Sequence, residues 1–406
     1  MEKVVKGLES IDLRRATNIL FRSNRELALK ILKIIELTWA QLKKSGYEHL
    51  RIMNFCGTHE WTTTRYGLRS LLPEGIELLA GPGCPVCITP SHYVEAAIKL
   101  SLEGVRVYTY GDAYKLPSVK KINGVKSLDE AKASGGDVVV VYSLLDAIRD
   151  VVKNRVESTF LAIGFETTYP AYALAILKEE TPENLSYIVA GRLTPPAAEY
   201  AVERVGGVDG VIAPGHVSTI TGGEVWINLA EKYSIPTVVS GFEPIDVLLS
   251  IAEILKQKSR GEARVVIEYA RAVTWSGNVN AKKAINEVFE VHDAAWRGIG
   301  IIPKSGYKLR EEYRRFDAFD RYGFREPTRD EWCYDLLPGC RCGEVIIGKI
   351  KPSECSLFMK KCTPDSPYGP CMVSSEGTCR IHALYTNVNN IDEIRKIKWI
   401  ENSNHQ

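Results

Sequence analysis

Apolar residues recur at helical spacing over residues 10 to 46, where Ile19, Leu20, Leu27, Ile31, Ile34, Ile35 and Trp39 mark the period and Gly46 supplies a stop. From about residue 50 the pattern changes to short apolar runs of strand length alternating with helical stretches. One series comprises 51–55 (RIMNF), 76–80 (IELLA), 105–110 (VRVYTY) and 137–142 (DVVVVY). A second comprises 159–163 (TFLAI), 186–190 (SYIVA), 209–213 (DGVIA), 235–239 (IPTVV) and 264–268 (RVVIE). Apolar runs alternating with helices imply parallel βαβ units with helices on both faces of a sheet.

The two series read as copies. At an offset of 110 residues, Ala80-Gly81 falls on Ala190-Gly191, Pro85 on Pro195, and the FCGTHE turn (55–60) on the FETTY turn (165–169). At a shifted offset TYGD (109–112) lies against APGH (213–216). The expected architecture is therefore α/β, with two similar Rossmann-like domains over 47–153 and 154–272 facing a cleft. A helical extension (1–46) would precede them. Open α/β sheets bind ligands outside the carboxyl ends of their strands, which makes the cleft the expected site. Beyond residue 273 the periodicity fades. Helical signal persists from Ala281 to about Trp296, and Gly, Pro, aromatic and charged residues follow. A mainly irregular and helical segment of this kind (273–406) needs another source of order, and a bound metal centre is one.

A chain of 406 residues exceeds a single compact core, which agrees with several domains. The net charge of +2 argues against a nucleic-acid protein held by a large basic surface. No basic leader with an apolar run and no long apolar stretch is visible, so a cytoplasmic location with no membrane contact is expected. Ten cysteines in such a chain do not suggest a disulfide framework. Their placement is uneven: Cys56, Cys84 and Cys87 come early, and Cys333, Cys340, Cys342, Cys355, Cys362, Cys371 and Cys379 crowd near the end. Such clustering points to metal or redox chemistry.

From Cys340 the spacing is C-x-C-x12-C-x6-C-x8-C-x7-C. It lacks the C-x2-C knuckles of zinc ribbons, and His382 is the only histidine nearby. Loosely spaced thiolates suit an iron–sulfur cluster, and six are two more than one cubane needs. A cluster with an extra thiol pair, a structural zinc, and free buried cysteines are the readings open. Cys84-Pro85-Val86-Cys87 reads either as a redox dithiol or as two small core residues. Thr89 can cap a following helix with Pro90 at its first position, and that helix N-terminus would favour a thiolate. Cys56, directly after a strand and three residues before His59, is placed as a ligand or nucleophile, although His59 can equally be structural. Glu166, Thr167 and Thr168 open a helix at another strand end, where they could bind an anion or serve as a cap. His216 and Ser218 follow a further strand. Neither G-x-G-x-x-G after a strand nor a P-loop occurs, so no nucleotide cofactor is indicated.

Several motifs occur in order: CGTHE (56–60), GPGCPVC (81–87), GFETT (164–168), PGHVS (214–218) with Gly222, and GFEP (241–244). RGIGIIPKSGYKL (297–309), CRCGEV (340–345) and CTPDSPYGPCMVSSEGTC (362–379) follow. Together they resemble the HypD family of hydrogenase maturation factors, over nearly the whole chain from about residue 50. The resemblance implies two α/β domains of similar fold and a third domain holding a [4Fe-4S] cluster on Cys340, Cys355, Cys362 and Cys379. It implies that Cys342 and Cys371 form the extra thiol pair, relaying electrons between the cluster and the Cys84–Cys87 dithiol. Cys56 would hold, with the small partner HypC, an iron that receives cyanide from the partner HypE, and carbon monoxide. His59, Glu166, Thr167, Thr168, His216 and Ser218 would line the cleft. Trp61, Arg192 and Thr194 depart from residues more usual in the family, Cys333 has no obvious counterpart, and the first forty residues are an extension. The function so implied is a scaffold for the Fe(CN)2CO unit of [NiFe] hydrogenase with redox activity. Alternatives are a stand-alone dithiol–disulfide oxidoreductase carrying an iron–sulfur cluster and a zinc-stabilised protein-binding module.

Overall fold

The computed structural model describes residues 24–328 and 335–386. All nine expected strands form: β1 (Leu50–Asn54), β2 (Ile76–Ala80), β3 (Arg106–Tyr110), β4 (Val138–Val141), β5 (Ser158–Gly164), β6 (Leu185–Gly191), β7 (Gly210–Pro214), β8 (Thr237–Ser240) and β9 (Val265–Ile267). Every pairing among them is parallel. Strands β5, β6, β7 and β8 are buried along their whole length, as strands covered on both faces must be.

The strands do not divide at residue 153. One sheet runs β2-β1-β7-β8-β9 and the other β4-β3-β5-β6. Each sheet therefore joins the first strand pair of one series to the second strand pair of the other, and neither 47–153 nor 154–272 contains a whole sheet. The repeat itself survives in space. The order β2-β1-β7-β8 is matched by β6-β5-β3-β4, and Asn54↔Ala80 in one sheet answers Gly164↔Gly191 in the other. Periodicity identifies a strand but carries no information about its partner, so the exchange lies outside what the apolar pattern encodes.

Helices cover both sheets. In α1 (Arg25–Lys44) the Asn24 side chain accepts from Leu27 N–H at 3.0 Å, capping the helix. Ile31, Ile35, Trp39 and Leu42 form its buried stripe, each worth roughly 1.5–3 kcal/mol of burial. The stripe shares a core with α7 (Pro244–Ser259) and strands β1 and β8. The described part of the N-terminal extension is thus a structural layer of the first sheet, and the rest of the expected 10–46 helix lies outside the described residues. The remaining helices used below are α2 (Gly57–Arg65), α3 (Ser91–Leu102), α4 (Tyr169–Leu177), α5 (Thr194–Val205) and α6 (Gly215–Thr221).

The region after residue 273 corrects a second expectation. Helix α8 (Val279–Val288) stops well short of Trp296, and β10 (Phe289–Trp296) pairs antiparallel with β11 (Gly300–Leu309). The hairpin is bolted to the second sheet by Arg192, whose Nε donates to Ala295 O at 2.9 Å, and by Leu193 N–H donating to Ser305 O at 2.8 Å. The last segment is short helices and turns, including α9 (Cys342–Ile346) and α10 (Thr378–Tyr385). It has no core of its own: Cys342, Ile346, Cys371 and Cys379 share one apolar core with Met53, Phe55, Cys84 and Cys87. Among the described residues no helix is long and apolar enough to cross a membrane.

Candidate functional site

The carboxyl ends of β1, β2, β7 and β8 bring four of the motifs to one edge of the first sheet. Cys56 follows β1 as the N-cap of α2 and is half-buried. The β2 loop folds onto it, with Gly57 N–H donating to Gly83 O at 3.1 Å. A Cβ on Gly83 would sit 2.5 Å from Cys56 N, so only glycine permits this approach. Cys84 and Cys87 in that loop are buried and joined as a disulfide, with Cys87 N–H directed at Cys84 Sγ at 3.2 Å. Thr89 does not cap α3; its hydroxyl donates to Pro85 O at 2.8 Å. The cap comes instead from Asp335, whose Oδ1 accepts from Ser91 N–H at 2.8 Å.

Two pockets meet at these cysteines. One, of ≈ 300 Å³, is lined by Cys340, Cys342, Cys355, Cys362, Cys371 and Cys379, with Leu357, Phe358 and Met372 among its walls. The other, of ≈ 230 Å³, is lined by Cys56, Cys84, Glu60, Glu376 and Cys371 among others. Cys371 belongs to both. Hydrogen bonds from Cys342 and Cys379 hold the Cys371 thiol well below the usual thiol range, while burial and its neighbours push Cys342 well above it. The six cysteines that line the first pocket are free thiols. Among the described residues no three His, Cys, Asp or Glu side chains converge on one point that a single ion could occupy. Cys333 lies outside the described residues.

Burial, with the nearby Glu376 carboxylate, pushes the Cys56 thiol up to about 11, against the opposing pull of the Thr58 and His59 backbone N–H groups. Burial likewise pushes Glu376 up to about 7, helped by Asp112. Asp112 in turn tethers this turn by accepting from Ser374 Oγ at 2.9 Å and Ser375 N–H at 3.2 Å. Glu60 is fully buried; burial alone would raise its carboxyl, but the Arg69 and His382 charges outweigh it and hold it well below the carboxylate range. Arg69 Nη2 reaches both Glu60 oxygens at 2.9 and 2.8 Å, and His382 Nε2 lies 2.7 Å from Oε1. Through this ion pair α10, which carries Cys379, is fixed to α2, whose N-cap is Cys56. Trp61 adds edge-on ring contacts to Tyr66 and Tyr385 at 6.0 and 6.1 Å.

The other predicted site residues are placed differently. His59 lies away from Cys56's pocket: its Nε2–H donates to Gly241 O at 2.8 Å, its ring stacks on Phe242 at 4.6 Å, and burial pushes its pKa down to about 4. His216 packs on the same ring at 4.0 Å. Ser218 accepts from Trp226 Nε1–H and donates to Pro214 O, both at 2.9 Å, and is buried. Glu166, Thr167 and Thr168 stand at the end of β5 in the second sheet and line neither pocket. Glu166 is a cap, accepting from Thr194 N–H at 2.7 Å and Thr194 Oγ1–H at 2.9 Å at the start of α5. Burial pushes it up to about 7. Sequence reasoning missed Glu60, Glu376, His382, Arg69 and Asp112 as parts of the site. Glu60 and Glu376 stand in quoted motifs, but their partners are set by long-range packing.

Fold and site together define a cysteine-rich parallel α/β protein with its thiols gathered at one sheet's strand ends. The profile of the Hydrogenase formation hypA family (HypD) matches residues 28–386. A putative hydrogenase expression/formation protein of Methanocaldococcus jannaschii is 44% identical over 84% of this chain and 93% of its own length. The hydrogenase maturation factors HypD of Cupriavidus necator and Escherichia coli are 40% and 36% identical, over 83% and 87% of this chain and 90% and 94% of their own lengths. The chain belongs to the HypD family of hydrogenase maturation factors.

Proposed function

We propose that this chain is the scaffold on which the Fe(CN)2CO unit of [NiFe] hydrogenase is assembled, together with a HypC-type small chaperone and a HypE-type cyanide donor. The iron is the substrate of that assembly. Cys56 is its anchor, because an iron that takes up cyanide and carbon monoxide needs a soft thiolate ligand in a sheltered site. Cys340, Cys355, Cys362 and Cys379 would hold a resident [4Fe-4S] cluster, which when bound supplies electrons one at a time. Two observations support the fit. The thiols surround a pocket rather than one point, as ligands to separate irons would. Arg297, whose neighbour Gly298 packs on Gly343 next to Cys342, is a buried cation with Nη1 and Nη2 unpaired, which an anionic group would satisfy.

Opening the Cys84–Cys87 disulfide consumes two electrons and two protons and leaves two thiols. Cys371, which lines both pockets, and its hydrogen-bonded neighbour Cys342 would relay those electrons from the cluster. Glu60 and its Arg69 and His382 partners keep α10 seated against α2, so the two pockets hold their relative positions. The observation that carries the reading is that Cys371 lines both pockets.

The test is a Cys56→Ala variant purified anaerobically from cells making the partner proteins. The expected protein keeps its cluster absorbance and fold but lacks the infrared bands of iron-bound cyanide and carbonyl seen in the unmodified chain. Surviving bands would overturn the role of Cys56. Undiminished disulfide reduction as the sole measurable activity of that variant would favour the oxidoreductase alternative.

A further inference from the structure

Arg297 is shut inside the protein between the two thiol sites. Its residue is 1% exposed. Its backbone N–H donates to Ile88 O at 2.8 Å, one residue past Cys87. Its Nε donates to Asp335 O at 2.9 Å. The following residue presses on the helix that opens with Cys342: a Cβ on Gly343 would lie 2.0 Å from Gly298 O. Arg297 is thus held from one side by the disulfide loop and from the other by the cysteine-rich segment.

Both terminal nitrogens of this guanidinium lack a hydrogen-bond partner. Asp335 is near enough for the charges to interact but does not close on it. Asp335 Oδ1 is committed to Ser91 N–H, and Oδ2 makes no hydrogen bond. The chain next to Arg297 reaches the six-cysteine pocket, because Gly298 packs on Gly343, the residue after the pocket-lining Cys342. A buried cation with spare donors is costly unless an anionic group faces it. A cluster held by four thiolates is such a group, and it becomes more negative by one charge on reduction.

We propose that Arg297 is a positioning residue that sets the reduction potential of the cluster site, as a fixed positive charge stabilising the reduced form. The inference rests on reading the six-cysteine pocket as a cluster site. Reduction takes one electron from an external low-potential donor; no bond is made or broken, and Arg297 keeps its protons. Asp335 is the opposing charge, so the two residues act on the potential with opposite signs.

The test uses the full chain, reconstituted anaerobically, assayed for iron and sulfide per chain and for melting temperature. It is then titrated with dithionite and mediators while the visible spectrum is followed. At the potential where the unmodified protein is half reduced, Arg297→Gln should show a reduced-to-oxidised ratio at least tenfold lower, which for a one-electron couple is about 59 mV. Arg297→Lys, which keeps the charge, should fall between the two. Asp335→Asn, which keeps the Oδ1 cap, should move the ratio the opposite way, and it carries the test should Arg297→Gln not fold. Arg297→Gln with a full cluster and the unmodified midpoint would overturn the proposal, as would an unchanged or lowered ratio in Asp335→Asn. An unmodified chain that binds zinc and no iron is a different result, because it overturns the cluster reading on which the proposal stands.

Discussion

Glu60 and Glu166 show how environment gives the same side chain opposite roles. Glu60 is ionised in the fold because Arg69 and His382 surround it. Its contribution to stability is present above the ordinary carboxylate pKa and is lost as pH falls below about 4.5. Removing one partner strands a buried charge. Arg69→Ala should cost about 3 kcal/mol, and adding Glu60→Gln should recover part of it, as read by denaturant melts of the single and double variants. Glu166 runs the other way. With its pKa pushed from 4.5 up to about 7, the fold holds the proton more tightly than the unfolded chain. Its contribution is therefore complete below 4.5 and disappears as pH rises through 7. Glu166→Gln should abolish this component, so the melting temperature of the unmodified protein relative to the variant should fall between about pH 5 and pH 8. A parallel pair of curves would contradict it. At this scale the cysteines were legible, because clustering and spacing are local properties. The partners of Glu60, Glu376 and Arg297 were not, because all but Arg69, nine residues from Glu60, lie tens to hundreds of residues away in sequence.

At the scale of elements the apolar runs located every parallel strand, since strands buried on both faces leave an uninterrupted record. The β10–β11 hairpin left a poorer one. Helix α8 passes into β10 with no intervening turn, Phe289 being both its C-cap and the first strand residue. The register shift between His292 and Ala294 then breaks the alternation that would have marked a strand. The β2 loop is an element whose position depends on one missing side chain. Gly83→Ala forces a Cβ to within 2.5 Å of Cys56 N and must displace the disulfide loop from Cys56. The expected cost is about 1–3 kcal/mol in a melt, with faster alkylation of Cys56 in the folded protein. An unchanged alkylation rate would mean that the loop does not shield Cys56.

For the whole molecule, the exchange of strand pairs is the property that the linear pattern concealed. It ties the two sheets together: β2 leads into β3 and β6 into β7, each step crossing between sheets. A fragment ending near residue 153 contains two strands of each sheet and completes neither, so it should show no cooperative melt by circular dichroism. Mixed with the complementary fragment it should regain one. A cooperative transition in the first fragment alone would contradict the exchanged topology. The C-terminal segment closes the assembly by laying its cysteines against the disulfide loop, in a core shared with the first sheet. We propose that this segment holds an iron–sulfur cluster wired by Cys371 to the Cys56 pocket. Its most direct test is metal and sulfide content with the visible spectrum of the full chain purified without oxygen. A brown protein with about four irons and four sulfides per chain is expected, and a colourless one with stoichiometric zinc would contradict it.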